Sequence, residues 1–65
     1  MFVGKLIMFA HNDEYISVED DDFNVIAEGK TMDVLANTSI YGLFVHYFYT
    51  GIRNNNHCTV IIVRK

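Results

Sequence analysis

Residues 31–51, TMDVLANTSIYGLFVHYFYTG, decide the predicted fold because they read as the only helix of the chain. On an α-helix, their apolar side chains recur three and four positions apart and form a stripe of the kind that covers a sheet. The residues of this stripe are Met32, Leu35, Ala36, Ile40, Leu43, Phe44 and Tyr47. We therefore expect one long helix over about residues 32–50, with the core beneath it.

The ends of the stretch carry helix signals. Thr31 is a good N-cap residue, and Asp33 follows in the first turn, where the helix dipole favours a carboxylate. Gly51 can adopt the left-handed conformation that closes a helix. The alternative is a strand over residues 43–49, which are rich in aromatic and β-branched side chains. We prefer the helix because a strand there would present no polar face.

A second apolar row lies well around the same predicted helix. A lone small domain offers no second layer that would bury this row, so another subunit or a partner has to cover it. The predicted interface residues are Val34, Tyr41, Val45 and Phe48.

The rest of the chain is predicted to be strand or turn. Residues 2–10, 15–19, 23–28 and 58–63 read as strands, and residues 20–22, all Asp, form a turn. The prediction is a single α+β domain over residues 1–65 with the order β-β-β-α-β and a four-stranded, mainly antiparallel sheet covered on one face by the helix. If the helix crosses that face, the last strand runs parallel to the first and lies at an edge, in the sheet order 3-2-1-4. Unpaired backbone groups on an edge strand invite a second chain.

Length and cysteine content point to self-association in a reducing compartment. A domain of 65 residues has a small core and usually depends on disulfides, metal or oligomerisation. Cys58 is the only cysteine, so an intramolecular disulfide is impossible. We expect a homodimer or higher oligomer. With no export signal in view, the expected location is the cytoplasm, or the host cytoplasm if the protein is viral.

Charge disfavours two classes of partner. The net charge of −3 and five scattered basic residues argue against general nucleic-acid binding, which needs clustered Lys and Arg. No formal charge lies between Asp33 and Arg53, as in a membrane span, but Asn37, Thr38 and Ser39 interrupt the apolar character that a membrane requires. We expect no membrane association.

Two motif fragments are incomplete. Residues 29–31, GKT, match the end of a P-loop, but Asn24 stands where its first glycine is needed. Residues 20–31 open like an EF-hand loop, but Val25 replaces the central glycine and Thr31 the final glutamate. We read the first as a strand end with a helix cap and the second as a solvated acidic turn.

The chain offers no metal or catalytic constellation by spacing. The candidate ligands are His11, His46, His57 and Cys58, and no Cys/His pair has the spacing of a zinc site. Nothing in the spacing brings a base to a nucleophile. We therefore predict no metal, no cofactor and no enzymatic activity.

The polar loop before the last strand is the candidate ligand site. It reads either as a solvated connector or as a recognition loop, in which arginine and amides hold a phosphate while a tyrosine stacks on a base. The residues of this second reading are Tyr47, Tyr49, Arg53, Asn54, Asn55 and Asn56.

Residues 27–35, AEGKTMDVL, resemble antitoxins of the HicB type, in which strands lead into a Gly-x-Thr helix entry. Gly29, Thr31 and Asp33 match this entry, whereas Val34 and Leu35 stand where a second acid and an alanine are expected. The resemblance implies a compact β-β-β-α-β dimer that inhibits a small toxin by occluding it.

These features favour a non-enzymatic, self-associating module that binds and inhibits another macromolecule, such as a toxin, a nuclease or a defence or regulatory protein. The alternative is a protein that sequesters a nucleotide or another phosphorylated signal at oligomer clefts. A third reading is a subunit of a structural assembly. The absence of proline and tryptophan, with many Asn, Tyr, Phe and Ile residues, resembles small proteins of AT-rich phages.

Overall fold

In a computed structural model that describes residues 1–10, 14–53 and 55–64, two short α-helices and a 3₁₀ turn pack on a four-stranded mixed sheet. The helices are α1 (Val3–Ile7) and α2 (Thr31–Leu35), and the 3₁₀ turn spans Thr38–Ile40. The strands are β1 (Tyr15–Glu19), β2 (Val25–Lys30), β3 (Phe44–Arg53) and β4 (Asn56–Arg64). They stand in the order β2-β1-β4-β3, in which β4 runs parallel to β1 and the other neighbouring pairs are antiparallel. The fold is α+β, but the predicted order β-β-β-α-β is wrong.

The long helix predicted over residues 32–50 does not exist. α2 ends at Leu35, and the side chain of Asn37 then accepts a hydrogen bond from the backbone N–H of Ser39 at 3.3 Å. Side chains of Asn, Ser and Thr compete in this way for nearby backbone groups, so a run of them favours a turn over a helix interior. The apolar residues on either side of this turn therefore belong to different elements.

The alternative prediction, a strand over residues 43–49, agrees with the structure, where β3 spans Phe44–Arg53. The sequence disfavours this strand because it would present no polar face to solvent. β3 lies at an edge of the sheet and leaves Tyr47 and Phe48, neighbours that point to opposite faces, both exposed to solvent. Apolar spacing could not separate helix from strand in a segment with so few charges.

The N-terminal segment, predicted as a strand over residues 2–10, contains α1 instead. Val3 and Ile7 lie one helical turn apart and are both buried in the core. Gly4 allows Tyr41 to pack closely on this helix, because a Cβ atom at Gly4 would lie 3.1 Å from Cγ of that ring. The segment is apolar on every side, so its sequence showed no clear period.

The strand predicted over residues 15–19 is confirmed as β1, and the acidic turn leads from it into β2. The Asp20 carboxylate accepts hydrogen bonds from the backbone N–H groups of Asp22 and Asn24, at 2.9 and 3.0 Å. Phe23 has a positive φ of 63°, which is incompatible with a strand. β2 therefore begins at Val25 and not at Phe23.

Thr31 opens α2 without capping it. Its hydroxyl donates a hydrogen bond to the carbonyl of Glu14 at 3.3 Å, and the helix has no side-chain cap. Asp33 does lie in the first turn, as predicted. Gly51, predicted to close the helix, lies within β3.

The predicted sheet order 3-2-1-4 is also wrong. The last strand, β4, lies between β1 and β3 and not at an edge. A strand that is apolar on both sides belongs in the middle of a sheet, where both faces can be covered. The argument for self-association through this strand therefore does not hold, and the edges of the sheet are β2 and β3.

The helices and the 3₁₀ turn pack on one face of the sheet, where the main core lies. Its buried residues are Val3, Ile7, Ile16, Val18, Val34, Ile40, Ile61 and Val63. A smaller cluster of Cys58, Val60 and Ile62 lies on the opposite face, with Tyr15 packed against it and no described helix residue over it. Neither five-residue helix is long enough to cross a membrane, and no longer helix occurs in the described ranges.

Candidate functional site

The face of the sheet opposite the helices, which we call the open face, carries a row of polar and aromatic side chains from β3. In the antiparallel register with β4, Tyr47 lies opposite Ile62, Tyr49 opposite Val60 and Gly51 opposite Cys58. Residues of one strand that are two apart share a face. Tyr47, Tyr49, Gly51 and Arg53 therefore line the open face, beside the smaller apolar cluster.

A buried carboxylate lies on the open face. Glu19 in β1 is 1% exposed, and its Oε2 accepts a hydrogen bond from the Ser17 hydroxyl at 2.7 Å. Arg53 donates to the two carboxylate oxygens through Nε at 3.0 Å and Nη2 at 3.4 Å, and Nη2 also donates to the Tyr49 hydroxyl at 2.9 Å. The hydrogen bond with Glu19 raises the pKa of Arg53 above its usual value. The pair compensates a charge that would be costly to bury alone.

The structure brings together part of the predicted ligand site. The rings of Tyr47 and Tyr49 are near parallel at 22°, with 6.2 Å between their centroids. Arg53 shares their face, but its guanidinium is already engaged by Glu19. The arrangement supplies an aromatic surface and not a free cation for a phosphate.

The asparagines of that site lie at the β3–β4 turn. Asn55 is exposed and has a positive φ of 65°, a conformation that asparagine tolerates well. Asn56 lies opposite Arg53 at the start of β4. Asn54 lies outside the described residues.

The predicted interface row of Val34, Tyr41, Val45 and Phe48 is dispersed because the helix that would align it is absent. Val34 is buried in the core from α2, and Val45 is half-buried in β3. Tyr41 packs on Gly4, and its hydroxyl donates a hydrogen bond to the carbonyl of Leu35. Phe48 alone presents most of its side chain to solvent.

A cleft of about 490 Å³ opens at the end of the sheet where β1 and β4 begin. Its lining residues are Glu14, Tyr15, Lys30, Thr50, Asn56, His57, Cys58 and Thr59. Burial raises the pKa of the Cys58 thiol, which keeps the thiol protonated and makes it a poor nucleophile. Among the described residues, no three His, Cys, Asp or Glu side chains lie together as a metal site would require.

Sequence reasoning missed an apolar groove between α1 and β3 on the helix side of the sheet. The groove has a volume of about 190 Å³ and is lined by Leu6, Ile7, Phe9, Ala10, Glu14, Ile16, Phe48, Thr59 and Ile61. Phe9 is 78% exposed and Phe48 56% exposed. The i, i+4 pair of Val3 and Ile7 was the one signal that residues 2–10 form a helix, and without that helix the groove could not be foreseen.

The outer edge of β3 is a second feature that the sequence did not predict. At its start, the backbone N–H of Val45 donates to the carbonyl of Met1 at 2.8 Å, and Phe2 forms a bridge with Phe44. From residue 47 to residue 53, no backbone hydrogen bond from another described element reaches this side of the strand. We call residues 47–53 on the side away from β4 the β3 edge.

No family model, curated protein or solved structure matches this chain in comparisons with known proteins.

Proposed function

We propose that this chain is a non-enzymatic, self-associating interaction module that binds another macromolecule and inhibits it. The observation that supports this proposal most directly is the apolar groove and the exposed side chains around it. Phe9 and Phe48, which line the groove, are 78% and 56% exposed, although burial of each side chain away from water would be favourable. Contiguous exposed apolar surface on a small protein is typical of an interaction site.

A protein is the favoured target. The net charge of −3 disfavours the phosphate backbone of nucleic acids. The groove is lined mainly by aliphatic and aromatic side chains, which suits an apolar anchor from a protein partner. The resemblance of residues 27–35 to HicB-type antitoxins favours a toxin or a nuclease as that target, and it rests on the Gly29-x-Thr31 entry into α2, since the element order that it implied is not the observed one. A cytoplasmic location belongs to the same proposal and is supported by the single cysteine.

Native mass spectrometry of the chain, purified gently from the cells that make it, tests this proposal. We expect an oligomer that carries a second protein, and we expect Phe9→Glu to lose that protein because a carboxylate in the groove would lack a partner. Phe23→Glu is the matched control, since Phe23 is 57% exposed in the β1–β2 turn. Circular dichroism establishes that both variants fold. If Phe9→Glu retains the second protein, the groove is not the binding surface.

The second candidate, sequestration of a nucleotide or other phosphorylated signal, is favoured by one observation. Tyr47 and Tyr49 present near-parallel rings on the open face, and such rings stack on nucleobases. Tyr47→Leu removes one ring and leaves the pair of Arg53 and Glu19 intact. Titration calorimetry with a panel of nucleotides should show heat for the wild type and none for this variant. An absence of heat with the wild type would eliminate this candidate.

A further inference from the structure

The two edges of the sheet differ in the features that prevent strands from pairing between molecules. β2 carries Glu28 and Lys30, and Gly29 within it has a φ of 142°. β3 carries no formal charge from residue 44 to residue 52 and no proline. Charges, proline and irregular backbone are the usual protection of an edge strand. The β3 edge has none of them within residues 47–52.

The free part of the β3 edge has definite limits. Met1 and Phe2 occupy the edge beside Val45 and Phe44, and the register shifts between Val45 and Tyr47. At the other end, Arg53 is the last residue of the strand. Regular pairing is therefore open to residues 47–53, whose midpoint is Thr50.

We propose that the β3 edge pairs antiparallel with the β3 edge of a second copy, with Thr50 on the two-fold axis, so that two four-stranded sheets join into one of eight strands. This inference rests on the self-association in the proposed function and names its surface and register. A two-fold pairing uses the same residues on both copies. The pairing gives backbone partners to the outward-facing N–H and C=O groups of both strands at once. The Ile52 carbonyl, which already accepts from Nη1 of Arg53 at 3.0 Å, has a second lone pair for a backbone partner.

The side chains that this register places opposite each other are compatible. Directly opposite residues lie on the same face of an antiparallel pair. On the helix side of the sheet, Phe48 meets Ile52 of the second copy, and both are more than half exposed in the single chain. On the open face, Tyr49 lies opposite Gly51, and Tyr47 lies opposite Arg53, whose guanidinium stays on Glu19 of its own chain.

A second copy of the chain is a better partner for the β3 edge than a charged strand is, because residues 47–52 carry no charge that could pair with one. The chain carries a net charge of −3, which opposes association, but the Asp residues of the acidic turn follow β1. β1 lies two strands away from β3, beyond β4. Two β3 edges, each uncharged from residue 47 to residue 52, can therefore meet without like charges directly opposite each other.

Disulfide trapping in a Cys58→Ala background tests the register. Each variant is oxidised with diamide, which accepts the two electrons and two protons released when two thiols form one disulfide. Opposite residues in an antiparallel pair have Cα atoms about 4.5–5.5 Å apart, within the range that a disulfide bridges. Thr50→Cys should form a covalent dimer, whereas Phe48→Cys and Ile52→Cys should each do so only when mixed with the other. Ile26→Cys on the β2 edge is the matched control and should stay monomeric in denaturing gels.

Analytical ultracentrifugation separates failure of this inference from failure of the proposed function. Thr50→Lys places a charge on the axis, and we expect it to weaken the dimer by about fivefold, because like charges directly opposite each other are destabilising by up to about 1 kcal/mol. A wild-type dimer that survives Thr50→Lys and does not cross-link through Thr50→Cys would overturn this pairing but leave self-association in place. A wild-type monomer would overturn both. If a monomer still captures the second protein, self-association fails but the binding part of the proposed function stands.

Discussion

Arg53, the last residue of β3, extends back over Gly51 and across β4 to the carboxylate of Glu19 in β1, with 3.0 Å between Nε and Oε2. A Cβ atom at Gly51 would lie 3.5 Å from Nη1 of Arg53 and 3.2 Å from Cε2 of Tyr49. The missing side chain at position 51 therefore leaves the space through which the guanidinium reaches its partner. This contact ties the edge strand to the strand on the far side of β4.

Removing the Arg53 guanidinium should destabilise the fold more than removing the negative charge of the buried Glu19 carboxylate. Arg53→Ala leaves the Glu19 carboxylate buried without its cation, beside the neutral Ser17 hydroxyl, and an uncompensated buried charge is strongly unfavourable. Glu19→Gln removes that charge. We expect Arg53→Ala to have the lowest urea midpoint, Glu19→Gln a higher one, and the double variant to be more stable than Arg53→Ala alone.

The double-mutant cycle supplies its own control, because both substitutions are measured in each background. If the destabilisations of the two single variants simply add in the double variant, the two side chains are not coupled, and the ion pair contributes nothing to the fold.

Gly51→Val should destabilise the protein, although valine is usually favoured in strands. The new side chain would crowd the Tyr49 ring and the Arg53 side chain, and overpacking of this kind costs about 1–3 kcal/mol. Thermal or urea denaturation measures the loss. The cost should shrink in an Arg53→Ala background but should not vanish, because the Tyr49 ring remains 3.2 Å from the new Cβ atom.

Gly42→Ala is the control for loss of a glycine, because a Cβ atom at Gly42 would meet nothing within 4 Å. We expect its stability to equal or slightly exceed that of the wild type. If Gly42→Ala loses as much stability as Gly51→Val does, crowding at the open face is not the cause of the destabilisation at Gly51.

The contact of Arg53 with Glu19 shows where prediction from the sequence ends. The alternation of residues 15–19 was enough to predict β1, because one face of that strand is buried against the core. The two partners are 34 residues apart in the sequence, and they can be placed close together only when the sheet order is known. That order depends on residues 37–39 breaking the helix, a competition between local side-chain hydrogen bonds and helix propensity that apolar spacing does not reveal.

The exposed apolar surfaces could not be predicted from the sequence either, because their prediction also depends on which segments are helix and which are strand. With residues 32–50 drawn as a helix, Val34, Tyr41, Val45 and Phe48 formed one row, and the structure leaves only Phe48 largely exposed. The groove needs α1 and β3 side by side, whereas the sequence pattern predicts a strand where α1 lies and a helix where β3 lies. Residues with few charges fit either period, so only tertiary packing decided between them.

Phe23→Asn should stabilise the protein. Phe23 has a φ of 63°, which is unfavourable for a bulky side chain, while asparagine tolerates it by hydrogen bonding locally. The ring is 57% exposed, so little apolar burial is lost. We expect a gain of up to about 1 kcal/mol in the free energy of unfolding, measured in urea. Phe23→Ala removes the ring but keeps the strain, so equal stabilities of the Asn and Ala variants would contradict this explanation.

The buried thiol of Cys58 should make stability fall at alkaline pH. Burial raises its pKa in the folded chain, while an unfolded thiol ionises near about 8.5. Above that pH the unfolded state loses its proton first, so the contribution of the thiol to stability is complete below about pH 8.5 and is lost as the pH rises toward the folded pKa.

The free energy of unfolding cannot fall by more than about 1.4 kcal/mol per pH unit through one titrating group. Urea unfolding of the wild type and of Cys58→Ala between neutral and alkaline pH measures it, because tyrosine ionisation contributes to both curves and cancels in their difference. We expect that difference to be constant below about pH 8 and to shift against the wild type above it. The native thiol should also react slowly with a disulfide reagent and become fast on unfolding, since the thiolate is the reactive form. A pH-independent difference, or fast labelling of the native state, would show that Cys58 is accessible to water.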